Sequence, residues 1–159
     1  MDARDGKGAT PLMFAARAGW LRVVRVLVAR YGADVAVRDG EGDDAFAVAC
    51  GCGRVGAATF LLGRQVRGED GVLGDRDVDV GNAKGRSALG LAAHGGHVEM
   101  VRRLVELGAD CGTVSVEDAG AGLDLSKPEF AARADEIRGL LLGTCVGGVG
   151  VERREGSTR

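Results

Sequence analysis

The apolar positions of the chain fall into short helical blocks that come in pairs. In residues 10–20, TPLMFAARAGW, Leu12, Ala15 and Ala16 share one face at helical spacing. Thr10 offers a side-chain oxygen to the first free backbone N–H groups, and Pro11 at the first helical position loses no bond it would have made. Gly19 stops the helix. The next block, LRVVRVLVARYGAD, places Val23, Val24, Leu27 and Val28 on an apolar side and Arg22, Arg25 and Arg30 outside it. The pattern predicts two short helices joined by a tight turn, a hairpin that cannot bury its own apolar faces.

The hairpin recurs. Leu12, Phe46 and Leu89 stand 34 and 43 residues apart, and so do Gly19, Gly53 and Gly96 and the unit starts Asp5, Asp39 and Asn82. Leu123 follows Leu89 by another 34 residues and aligns with Leu12. Residues 82–110 read NAKGRSALGLAAHGGHVEMVRRLVELGAD, close to residues 5–34. A turn and two helices repeating at about 33 residues is a stacking unit.

These blocks resemble ankyrin repeats. The resemblance rests on Asp5, Gly8, Thr10, Pro11, Leu12, Ala15, Ala16, Gly19, Val23, Val24, Leu27, Gly32, Ala33 and Asp34. In the third unit it rests on Gly85, Leu89, Ala92, Ala93, Gly96, His97, Glu99, Val101, Leu104, Gly108, Ala109 and Asp110. The resemblance implies an all-α helix-turn-helix solenoid with short β-turn hairpins. Repeats span 5–38, 39–81 and 82–115, with a degenerate cap over 116–142. The second unit is degraded: Thr-Pro-Leu has become Asp44-Ala45-Phe46, and about ten extra residues fall within 64–77. That Gly-rich, charged stretch suits a surface loop and reads as drift in a decaying repeat, with a binding insertion as the alternative. The histidine that usually fastens neighbouring turns is replaced by Met13, Ala47 and Gly90, so its hydrogen bonds are expected to be lost. In the last unit, Ser126 and Glu129 form a capping-box pattern. Phe130, Ala134, Ile137 and Leu141 then make an apolar stripe that would close the stack. Residues 143–159 read as a Gly-rich disordered tail. The first hairpin has no matching cap, so the chain is also compatible with a piece of a longer array.

Composition narrows the function. Glycine counts 28 of 159 residues, against a usual share of about 7%. Arginine far outnumbers lysine, and Ile, Asn and Gln occur once each, a bias that reads as codon usage. The net charge of −2 does not suggest a general nucleic-acid binder. No run approaches the ~20 apolar residues of a membrane helix. The opening MDARDGKG shows no signal peptide, so the expected place is cytoplasm or nucleus, with the four cysteines reduced.

Candidate chemistry is thin. Gly51-Cys-Gly-Arg-Val-Gly56 imitates a dinucleotide fingerprint, with Asp70 and Asp75 about 20 residues on. Gly53, however, is in phase with two turn glycines of helical hairpins. Cys50, Cys52 and Cys111 with His94 and His97 lack zinc-ligand spacing, and Cys50 aligns with Ala16 and Ala93, where a small buried residue belongs. No metal or other cofactor is expected. The resemblance instead implies a non-catalytic module presenting a concave surface to a protein of mixed charge. Its contact positions carry over to Lys7, Arg17, Arg38, Glu41, Asp43, Lys84, Arg86 and an exposed His94. Trp20 at the inter-helix turn is expected to cover that turn, with a contact role as the alternative. The rival readings are a small nucleotide-binding or enzymatic domain at Gly51–Gly56 and a decayed array without independent function.

Overall fold

The computed structural model describes residues 3–65, 81–114, 119–123 and 126–146. Most of the inserted stretch, including Asp70 and Asp75, lies outside them. The described residues form seven α-helices and one 3₁₀ turn, with no strand among them. They are α1 (Pro11–Ala18), α2 (Leu21–Tyr31), α3 (Ala45–Gly51), α4 (Val55–Gln65), α5 (Ala88–His94), α6 (Val98–Glu106), the 3₁₀ turn Cys111–Thr113 and α7 (Pro128–Val146).

The first helix of each pair starts where a polar side chain can replace a missing backbone partner. Thr10, Asp44 and Ser87 cap α1, α3 and α5 by accepting the N–H groups of Met13, Ala47 and Gly90. The loss of Thr-Pro-Leu in the second unit is therefore cosmetic, because the Asp44 carboxylate takes the Ala47 N–H at 2.8 Å. Met13 also replaces part of what a histidine would supply. Its Sδ accepts the Thr10 N–H at 3.4 Å and completes a capping box, so that bond is not lost in the first repeat.

Two rows of helices result. The short helices α1, α3 and α5 stack in sequence, and the longer α2, α4, α6 and α7 stack behind them. The core between the rows holds Leu12, Val24, Phe46, Leu61, Leu89, Met100, Leu104, Ile137 and Leu141, all almost fully buried. Alanines at 16, 49, 92 and 93 are closed off completely, which lets the helices approach closely. Cys50 packs among them as a small apolar side chain.

The junctions between repeats follow one plan. Gly19 and Gly53 both turn the chain with positive φ, at 76° and 65°. Arg54 lies across Gly19, with Nε donating to the Arg17 carbonyl at 3.1 Å. His97 lies across Gly53, with its Nε2 3.0 Å from the Gly51 carbonyl oxygen. At the turn tips, the Gly40 N–H donates to the Lys7 carbonyl at 2.8 Å and the Ala83 N–H to the Glu41 carbonyl at 3.0 Å.

The fourth unit departs from the expected alignment. Leu123 does not occupy the place of Leu12. It sits in a turn against Gly96, which itself has φ 69°. Residues 111–114 and this turn cover α5, with Ser87 Oγ 3.2 Å from Thr113 Oγ1, and α7 covers α6. Of the stripe expected in α7, Ala134, Ile137 and Leu141 are closed off and Phe130 is only partly buried. The helix runs to Val146, so residues 143–146 are helical rather than the start of a tail.

Candidate functional site

The turn tips are preorganised by one residue each. Asp5 Oδ1 accepts the N–H groups of Lys7 and Ala9, both at 2.8 Å. Asp39 Oδ1 does the same for Glu41 and Asp43, and Asn82 Oδ1 for Lys84 and Arg86. Side chains at the tips are thereby held on a stiff backbone.

Between the first two tips and the end of α1 lies a groove of about 310 Å³, lined by Asp5, Lys7, Ala9, Phe14, Arg17, Asp39, Glu41 and Asp43. Four of the nine sequence candidates, Lys7, Arg17, Glu41 and Asp43, meet here. Phe14 forms the apolar wall and is half exposed, whereas the matching Val48 of the second repeat is buried. Sequence reasoning missed Phe14, together with Asp5 and Asp39. The available signal was a large aromatic at the outward slot between buried Met13 and Ala15.

The carboxylates of the groove differ in character. The Ala9 and Lys7 amides hold Asp5 below its ordinary range. The Lys84 ammonium, 2.9 Å from Glu41, holds that carboxyl low. Burial pushes Asp43 upward, opposed by the Asn82 amide at 2.9 Å and reinforced by Asp39, Glu41 and Asp44 around it.

The other candidates are dispersed. Lys84 and Arg86 belong to the exposed third tip. Arg38, the last residue of the first unit, joins it to the second by donating toward the carbonyls of Gly42 and Gly81. His94 is not exposed. The turn at Gly120–Leu123 closes over it, and its Nδ1 is buried with no hydrogen-bond partner among the described residues. Trp20 does not cover its turn; it is 63% exposed.

The nucleotide-like glycines are occupied by packing. Gly51 ends α3 against Leu91, Gly53 receives His97, and Gly56 faces Leu21. The segment before them is helix, not the strand that a dinucleotide fingerprint follows. No group of three or more potential metal ligands occurs among the described residues.

Paired helices in two stacked rows, joined by Asx-stapled tips and glycine turns, define a helical repeat protein. A family model of ankyrin repeats in three copies matches residues 1–71, and a single ankyrin repeat model matches residues 84–116. The two matches span well over half of the chain, which belongs to the ankyrin repeat family. A search of curated proteins found no match. Ankyrin repeats generally serve as protein-protein interaction modules. Among the described residues no helix is long and apolar enough to cross a membrane.

Proposed function

We propose that the chain is a non-catalytic scaffold that seats a protein segment across its first two repeats, in the groove walled by Phe14. The half-exposed Phe14 carries this reading, because an aromatic ring beside charged groups of both signs fits interface anchors. The segment presents an apolar side chain to the ring and a basic side chain to Asp39, Glu41 and Asp43. An acidic neighbour meets Lys7 or Arg17. The stapled tips lose little ordering entropy on binding. Trp20, Arg38, Arg86 and His94 take no part in this seat, and Lys84 borders it through its ion pair with Glu41. The cytoplasm or nucleus remains the proposed location.

Affinity capture with the wild type and with Phe14→Ala plus Glu41→Lys, read by mass spectrometry, tests the seat. Partners retained by the wild type are lost with the variant while its melt is unchanged. Equal capture by both refutes the assignment. Melting with and without dinucleotides tests the rival reading, and a raised midpoint would restore it.

A further inference from the structure

The first repeat carries on its open side the same docking parts that the second and third repeats use on theirs. Trp20 is the register equivalent of Arg54 and His97, the two side chains that lie across the preceding glycine turn. Val23 corresponds to Ala57 and Met100, each 2% exposed, yet Val23 is 42% exposed. Leu27 corresponds to Leu61 and Leu104, which are fully buried, yet Leu27 is only partly so. Gly6 corresponds to Gly40 and Ala83, whose N–H groups donate to the preceding tip. Among the described residues the Gly6 N–H has no such partner, and the space beside Gly6 is open. Leu21 faces Gly56 and Arg25 lies over Phe60, so the next repeat takes the opposite side of α2 from Val23. The stretch before the first tip also matches a junction: Ala3-Arg4-Asp5-Gly6 parallels Val37-Arg38-Asp39-Gly40.

We infer that the Trp20–Val23–Leu27 face seats a further ankyrin-type repeat, joined ahead of Asp5 in the register already used twice. That repeat supplies a left-handed glycine turn beneath Trp20, a tip carbonyl for the Gly6 N–H and an outer helix for Val23 and Leu27. A second copy of the chain does not match these needs. Its far end is closed, because Leu123 occupies Gly96 and α7 covers α6. Two copies meeting by this same face would set Trp20 against Trp20 and donor against donor. The inference is independent of the Phe14 groove, which lies at the turn tips.

Trp20 is the only tryptophan, so its emission reports the seat directly. The test fuses a copy of residues 5–38, carrying its own Trp20→Ala, immediately before Asp5 of the full chain. The expected result is a blue-shifted emission, reduced acrylamide quenching, slowed exchange of the Gly6 amide and a higher melting midpoint in one transition. Adding Gly19→Val in the copy blocks the seat and returns the emission toward that of the unfused chain. A fusion in which Trp20 stays as quenchable as before overturns the inference, and so does an added hairpin that remains unfolded while the rest melts unchanged. Analytical ultracentrifugation of the unfused chain covers the other occupant. A dimer whose formation buries Trp20 also overturns it.

Discussion

Gly53→Ala puts a methyl group into the contact between the second and third repeats. An ideal Cβ there would lie 2.6 Å from His97 Nδ1 and 2.7 Å from its Cγ. Two costs follow. Holding an alanine at φ 65° costs about 1–2 kcal/mol. Pushing the imidazole aside breaks its bond to the Gly51 carbonyl, a further loss of about 1 kcal/mol. The expected destabilisation is about 2–3 kcal/mol. The two costs separate in a double-mutant cycle with His97→Ala. Without the ring only the backbone strain remains, so Gly53→Ala then costs about 1–2 kcal/mol and the coupling is about 1 kcal/mol. Urea unfolding of the four proteins at neutral pH, followed by circular dichroism, reads the cycle. If Gly53→Ala costs the same with and without His97, the ring does not rest on that turn and the junction is wrongly described.

Other consequences are open to simpler checks. Burial holds His97 below its ordinary 6.5, against the pull of the Gly51 carbonyl and aided by Arg54 and Arg133. The unfolded chain therefore takes up this proton first as pH falls. The contribution is fully present above about 6.5 and shrinks as pH drops from there toward the lower folded value. Unfolding midpoints across that range should show this decline, and His97→Ala should flatten it. Asp44→Ala should lose about 1 kcal/mol in urea melts, whereas Asp44→Thr, which restores the residue of the first repeat, should be near neutral. Leu61→Ala should cost about 2–5 kcal/mol by the same measurement, because Leu61 is fully enclosed between the rows.

The repeat architecture was legible because its signals are local. Glycines that must adopt positive φ and apolar pairs at helical spacing recur in phase whatever the other residues do, and the α7 stripe followed from spacing alone. Details set by what a neighbour brings were not legible. His94 occupies a position that is open in principle, and the arrival of Gly120–Leu123 partly covers it and encloses its Nδ1. Leu123 carries the right letter at the right interval, but its segment is a turn over Gly96, because the first helix of that unit is not formed among the described residues. Thioether capping by Met13 was hidden because methionine is ordinarily read as core filler. Of the site, the charged tips could be named in advance. The groove could not, because Phe14 meets Glu41 only after two units pair.

The chained tips bear on how such a protein could change its target. Each loop is bonded to the one before it, so the loops advance along the stack by one helix spacing, about 10 Å at a time. Deleting or duplicating a whole unit would preserve every bond type while sliding one half of a binding footprint past the other by that step. Selectivity in this architecture would thus evolve in discrete jumps as well as by gradual substitution.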